Sequence, residues 1–127
     1  MSRPILTRVA QVFAALLLMV AATMKFIGDP GSVAIFAVLD MEPTGRYLIG
    51  SIELVAALLL LSPFAASGAV LVVGVMCGAI IAHVTHLGLV VNDDGGMLVG
   101  MLMMVLLSAS FVLYSRRREI PFVGDAL

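Results

Sequence analysis

Four long apolar segments separated by short polar breaks dominate the chain. The segments cover about residues 5–27, 46–62, 65–91 and 96–114, and the breaks contain glycine, proline, aspartate or asparagine. Such residues interrupt helices, and an α-helix needs ~20 apolar residues to cross a bilayer. The pattern therefore predicts one all-α domain over residues 1–127, a polytopic membrane protein with four transmembrane helices in an antiparallel bundle.

A shorter apolar stretch at residues 33–39 lies between the first two long segments. It is too short to cross a bilayer, and Ser32 precedes it in a position suited to capping a helix. We therefore expect a short helix in the membrane interface between helices 1 and 2.

Composition agrees with a membrane location. Of the 127 residues, 62% are hydrophobic and 12% are charged, which is roughly half the charged fraction of soluble domains. The lipid bilayer is therefore the first expected partner. No basic patch with interleaved aromatic residues indicates nucleic-acid binding, so no nucleic acid is expected.

The charged residues divide between the ends and the loops. The basic residues near the two ends are Arg3, Arg8, Arg116, Arg117 and Arg118, and the acidic residues of two internal loops are Asp29, Asp40, Glu42, Asp93 and Asp94. Because basic residues beside membrane helices remain on the cytoplasmic side, both termini are predicted to be cytoplasmic.

One carboxylate lies inside a predicted span. At ~100° per residue, Arg46, Gly50, Glu53 and Ala57 fall on one stripe of helix 2. Glu53 is ~10 Å deep, counted from Arg46 at ~1.5 Å per residue. An ionised carboxylate facing lipid at that depth costs several kcal/mol. The stripe is therefore predicted to face the protein interior, where Glu53 needs a partner.

The predicted topology brings other polar residues to the same outer half of the bundle. Lys25 ends helix 1, Arg46 begins helix 2, and His83 and His86 lie on helix 3 at a depth similar to that of Glu53. These five residues are candidates for proton relay or ligand binding. The alternatives are structural: Glu53 pairs to set helix register, Lys25 and Arg46 anchor helices at the interface, and His83 is a hydrogen-bonded core residue.

The sequence assigns neither a metal site nor a catalytic residue. His83, His86 and Glu53 form a two-histidine, one-carboxylate set, but their spacing matches no metal signature, so no metal is assigned. The methionines of helix 4 indicate adaptable packing. There is no phosphate loop or nucleophile elbow, so no catalytic residue is assigned and enzymatic activity is left open.

Small residues indicate close helix contacts. Gly50 lies on the helix 2 stripe, while Gly74 with Gly78 and Gly96 with Gly100 form two Gly-x3-Gly pairs. Such pairs hold membrane helices together within one chain or between copies in a homo-oligomer, and both options stay open. The single cysteine, Cys77, is interpreted as an inert buried thiol.

Three groups of residues in order carry a family resemblance. They are Lys25-Phe26 with Gly28; Arg46, Gly50 and Glu53; and Met76-Cys77-Gly78-Ala79 followed by His83. In this order and spacing, from about Lys25 to Arg118, the chain resembles the DoxX and DoxX-like family of small four-helix membrane proteins. The resemblance implies importance for Lys25, Arg46, Gly50, Glu53, Gly78 and His83.

The resemblance also implies a setting. The family takes its name from a membrane subunit of a thiosulfate:quinone oxidoreductase, so we expect an accessory, quinone-proximal subunit of an oxidoreductase or oxidative-stress complex in a bacterial inner membrane. Its partners would be other membrane oxidoreductase subunits, and quinone is the cofactor expected nearby. The single cysteine argues against thiol–disulfide chemistry. Two alternatives remain: a non-catalytic membrane scaffold or assembly factor, and a binding or transport protein for a lipid or hydrophobic solute.

Overall fold

The computed structural model describes residues 3–127, which form helices joined by turns and contain no strand. The α-helices are α1 (Arg3–Phe26), α2 (Pro30–Val38), α3 (Thr44–Leu60), α4 (Ala65–Ala82) and α5 (Met97–Ser115). A π-helix, His83–Leu87, continues α4, and two 3-10 turns follow α5 at Arg117–Glu119 and Gly124–Ala126. The all-α prediction is confirmed.

Four of the helices form a bundle. Helix α1 packs against α3 and α5, and α4 packs against the same two helices. Its core is lined by alanines that are at most 1% exposed: Ala14, Ala15, Ala56, Ala57, Ala69 and Ala109. Small side chains let helix backbones approach closely, so backbone proximity rather than large interlocking side chains holds the bundle centre together.

Within the described residues 3–127, three helical stretches are long and apolar enough to cross a membrane: Pro4–Phe26, Ala65–Leu87 and Met97–Ser115. Their outer faces are apolar too, and Ile5, Val9 and Leu16 are each about half exposed. Helix α3 has 17 residues and contains Arg46 and Glu53. At ~1.5 Å per residue it is ~25 Å long, shorter than a ~30 Å hydrocarbon core. Length and composition therefore identify three spans rather than the four predicted.

Two helix boundaries differ from the sequence prediction by three residues or more. The third segment ends at Leu87 instead of residue 91, because Gly88 adopts a left-handed conformation with φ of 77° that terminates helices. The short helix begins at Pro30, and its cap is Asp29 rather than Ser32. One carboxylate oxygen of Asp29 accepts hydrogen bonds from the backbone N–H groups of Gly31 and Ser32.

The carboxylate of Asp94 caps the N-terminus of helix α5. Asp94 Oδ1 accepts from the N–H groups of Gly96 at 2.8 Å and Val91 at 3.2 Å, and Oδ2 accepts from Leu98 at 2.9 Å. These backbone donors, that of Leu98 first, hold the pKa of Asp94 below its ordinary value of 3.8. A carboxylate whose pKa is lowered by folding stabilises the protein above its unfolded pKa, and that contribution is lost as pH falls through the folded pKa.

Replacing Asp94 with asparagine is therefore expected to lower the melting temperature at pH 7, because an amide NH₂ cannot accept a backbone hydrogen bond. The difference from the wild type should shrink as pH falls below about 3.8. Circular-dichroism melting of the detergent-solubilised chain at pH 7 and near pH 3 measures both values. Asp93→Asn is the matched control, since Asp93 is exposed. Equal effects at both positions, or a pH-independent difference, would contradict the capping role.

Candidate functional site

The inward-facing stripe predicted on α3 is confirmed. Arg46, Gly50, Glu53 and Ala57 are all buried, and Glu53 is only 4% exposed. The neighbouring turns of the helix present apolar side chains outwards, with Leu48, Val55 and Leu58 about half exposed. The helix therefore turns its charges toward the other helices and its hydrocarbon side chains away from them.

The partner of Glu53 is Lys25 at the end of α1. Lys25 Nζ donates to Glu53 Oε1 at 3.1 Å and lies 3.0 Å from Oε2. Among the described residues, Oε2 has no hydrogen bond of acceptable geometry, although it is fully enclosed. The lysine thus neutralises the charge of the carboxylate but leaves one oxygen with unused capacity to accept a proton.

Arg46 is held by other groups. Its Nε donates to both oxygens of Glu42, at 2.8 and 3.0 Å, and its Nη1 donates to the backbone carbonyl of Lys25. The guanidinium carbon also lies 4.5 Å from the centre of the Tyr47 ring. Arg46 is 5% exposed, so it does not extend into water as an interfacial anchor would. It joins the end of α1 to the loop before α3.

The two histidines find their partners locally. His83 is buried and its Nδ1 lies 2.9 Å from the carbonyl oxygen of Gly88. A carbonyl only accepts, so Nδ1 carries the proton and Nε2 of the neutral ring is the acceptor. The His83 side chain therefore caps the end of the π-helix. This hydrogen bond does not involve Glu53.

The tautomer of His86, which is exposed, can be inferred in the same way. Its Nδ1 lies 2.7 Å from the hydroxyl of Thr85, which donates its only proton to the carbonyl of Ile81 at 2.6 Å. Nδ1 of His86 must therefore be the donor, which again leaves Nε2 as the acceptor. Both imidazoles thus present Nε2 as the basic atom.

His86 also lines a pocket between α2 and the π-helix. The pocket has a volume of about 210 Å³, and its walls are mainly aliphatic. Asn92 borders it and donates to the carbonyl of Gly31 at 3.4 Å, which links the loop before α5 to α2. The lining residues are Ala34, Ile35, Val38, His86, Leu87, Val90, Val91 and Asn92.

The opposite end of the bundle holds a polar cluster that sequence reasoning missed. Gln11 Nε2 donates to the carbonyl of Leu60 at 2.5 Å, and Gln11 Oε1 accepts from Arg116 Nε at 3.0 Å. Gln11 is 2% exposed, so one amide joins α1 to the ends of α3 and α5. A lone glutamine in an apolar segment was the available signal. The other missed residue, Glu42, lies four positions before Arg46, a spacing at which ion pairs form.

The predicted packing glycines behave in two ways. A Cβ on Gly50 would lie 3.3 Å from Lys25 Cβ, so α1 and α3 meet closely there. A Cβ on Gly74, Gly78 or Gly100 would meet nothing within 4 Å. This corrects the option that these three glycines hold helices of one chain together, because they lie on open faces. A homo-oligomer contact there stays a prediction.

Two further residues differ from their expected roles. Gly96 precedes α5 with φ of 87°, so it forms the turn into the helix rather than a packing contact within it. Cys77 is exposed instead of buried, because it lies on the outer face of α4, beside the open faces of Gly74 and Gly78. Within residues 3–127, no group of three histidine, cysteine or acidic side chains is placed to hold a metal ion.

Comparison with protein families identifies the family of this chain. The model of the DoxX-like family matches residues 9–110. The chain belongs to the DoxX-like family. The matched segment of this DoxX-like protein contains the whole Lys25–Glu53 site, both histidines and the pocket beside α2, and it ends before Arg116. No curated protein and no solved structure matches the chain.

Proposed function

We propose that this DoxX-like protein is an accessory subunit of a membrane oxidoreductase that accepts and releases protons beside a quinone. The observation that carries the proposal is the enclosed Lys25–Glu53 pair, in which Glu53 Oε2 lacks a hydrogen bond. Burying an ionisable pair inside a membrane protein is costly, so such a pair is by default a candidate functional site. A free lone pair on the carboxylate gives the proton a place to bind.

The redox setting is supported by family membership and by the pocket beside α2. A cavity of ~150 Å³ accommodates benzene, so about 210 Å³ accommodates one quinone ring. The aliphatic walls suit the ring faces, while His86 and Asn92 supply polar groups at the edge. A quinone bound there would supply two-electron, two-proton redox chemistry. The residues present fit such a ring.

The histidines support proton transfer on this side of the bundle. Nε2 of His86 is basic in the neutral ring, and His86 lines the pocket. His86 would accept a proton at Nε2, and Asn92 would orient the ring. Glu53 would act as the buried proton store, with Lys25 stabilising its charged form.

Helix α3 would be the fourth crossing. Its first half pairs with Lys25 near the end of α1, and its last residue, Leu60, pairs with Gln11 near the start of α1. It therefore runs antiparallel to α1 along most of a span. With four crossings, the arginine-bearing ends would lie in the cytoplasm of a bacterium, and α2 would lie at the outer interface.

Filling the pocket is expected to weaken quinone binding. Ala34→Phe places an aromatic ring in the cavity that the quinone ring would occupy. The affinity of the nanodisc-reconstituted chain for short-chain benzoquinone and naphthoquinone probes should therefore fall at least about tenfold. A tenfold loss corresponds to about two buried CH₂ groups of the ligand, at ~0.8 kcal/mol each. Ala37→Phe is the matched control, because Ala37 is exposed on α2 and does not line the pocket. Equal affinities of both variants would remove the pocket from the proposal.

A second candidate function is supported by a different observation. Arg46 joins the carbonyl of Lys25 to Glu42, and Lys25 in turn binds Glu53, so one polar cluster ties α1 to α3 and its preceding loop. A non-catalytic scaffold or assembly factor needs such a rigid surface and no chemistry.

Glu53→Gln distinguishes the two functions. The amide oxygen still accepts from Lys25, but the side chain no longer binds an exchangeable proton. In a proton-handling subunit, quinone-dependent electron transfer per copy of the protein in native membranes should fall by about 100-fold, the lower range for acid–base catalysis. A scaffold should instead lose abundance and co-purifying subunits together. Retention of acyl lipid without any quinone would favour the lipid-binding alternative.

A further inference from the structure

A second pocket lies where the two ends of the chain meet. It has a volume of about 410 Å³ and is lined by Pro4 and Thr7 of α1 and by residues 115–119, which run from the last residue of α5 through the turn that follows it. This pocket lies at the end of the bundle opposite the Lys25–Glu53 pair, since Arg116 reaches Gln11 in the first half of α1. Its arginines are beyond the segment that the family model matches.

The lining is strongly basic. Arg116, Arg117 and Arg118 face a single acidic side chain, Glu119, so the pocket carries two positive charges in excess. Arg116 Nη1 pairs with Glu119 at 3.1 Å, and Arg117 Nη1 donates to the carbonyl of Tyr114 at 2.7 Å. Within residues 3–127, the side chain of Arg118 has no ion pair or hydrogen bond, and it is exposed. Its guanidinium is available to an anion.

Ser115 adds a donor to the same pocket. Its hydroxyl oxygen is fully enclosed and has no hydrogen-bond partner among the described residues. A buried hydroxyl without a partner costs about 1–3 kcal/mol, so an acceptor at this position would remove the penalty. A phosphate group offers several acceptor oxygens and matches the fork of a guanidinium.

We propose that this pocket binds a phosphate group, held by the free guanidinium of Arg118, the remaining donors of Arg116 and Arg117, and the hydroxyl of Ser115. The source is a phospholipid headgroup or free phosphate. Exposed apolar side chains beside the pocket, Ile5 and Leu6 on α1 and Tyr114 on α5, are placed to contact acyl chains and favour the lipid. This inference is independent of the proposed redox role.

A lipid titration tests the first source. The full chain in detergent is titrated with phosphatidylglycerol and, separately, with phosphatidylcholine, and native mass spectrometry reports apparent dissociation constants. Phosphatidylglycerol should bind more tightly. Arg118→Gln should weaken its binding at least about tenfold, because a hydrogen bond to a charged group is lost. Arg118→Lys, which keeps the charge but not the fork, should lie between.

Arg8→Gln is the matched control. Arg8 is an exposed cation on α1 that does not line the pocket, so its loss should cost no more than the roughly fivefold effect of one diffuse surface charge. Glu119→Gln should act in the opposite direction and tighten binding, because it removes the only carboxylate of the pocket and frees Arg116. Melting temperatures should be similar for Arg118→Gln and Arg8→Gln.

Calorimetry with inorganic phosphate, in a maltoside detergent without phospholipid, tests the second source. Phosphate binding with the same ranking of variants would support the pocket and identify free phosphate as the ligand. Preference for phosphatidylglycerol without phosphate binding would support the pocket and identify the lipid. The proposal is overturned if neither ligand binds preferentially, or if Arg8→Gln and Arg118→Gln weaken binding equally.

Discussion

Replacing Lys25 with methionine is expected to lower the free energy of unfolding by about 3–5 kcal/mol. The substitution removes the cation that lies within 3.1 Å of both oxygens of Glu53. The carboxylate would then be an unpaired charge that is 4% exposed. Unfolding by sodium dodecyl sulfate in mixed micelles, followed by circular dichroism, measures the change.

The interpretation depends on two further variants. Arg8→Met removes an exposed cation from the same helix and should change stability little, because isolated surface charges contribute little. The double variant Lys25→Met/Glu53→Leu should recover most of the loss, since replacing a buried ion pair by apolar residues is often neutral or stabilising. If Lys25→Met costs no more than Arg8→Met, Glu53 does not depend on this lysine.

Gly68→Ala is expected to destabilise the protein by about 1–3 kcal/mol, the usual cost of overpacking. The added Cβ would lie 2.8 Å from the backbone nitrogen of Leu60 and 2.9 Å from Leu59 Cβ, so the backbones of α3 and α4 would have to separate. Gly68→Val should cost more than Gly68→Ala, because its two methyl groups enlarge the clash. The same denaturation measurement applies.

Gly74→Ala is the matched control on the same helix. Nothing lies within 4 Å of the position that its Cβ would occupy, and alanine favours a helix interior over glycine by about 1 kcal/mol. Stability should therefore remain unchanged or rise. A loss at Gly74 as large as that at Gly68 would contradict the α3–α4 clash as the cause, because helix propensity alone favours the alanine.

Helix α1 connects the two polar clusters of the molecule. Lys25 binds α3 near one end of the bundle, and Gln11 binds the last residue of α3 and the residue that follows α5 near the other end. The core between them is lined by small apolar side chains. Because alanine packing has little directional preference, these two sets of hydrogen bonds define how far α1 is rotated and shifted relative to α3.

Much of the architecture could be predicted from the periodicity of apolar residues. The helical segments, the short helix after α1 and the buried face of α3 depend on local sequence and on the cost of placing Glu53 in hydrocarbon. The pattern of apolar residues was less informative about which helices cross the membrane. Helix α3 has only 17 residues and contains Arg46 and Glu53. Its place in the bundle is therefore established by its packing against the other helices and not by its length.

The sequence alone determined that Glu53 must be buried and paired, because an ionised carboxylate that faces hydrocarbon at that depth costs several kcal/mol. Only the tertiary structure decided that Lys25 is the partner, that Arg46 binds Glu42, and that His83 closes its own π-helix. Partner choice depends on the rotation of each helix about its axis. That rotation follows from contacts between residues far apart in the chain, such as Gln11 with Arg116, which no local pattern encodes.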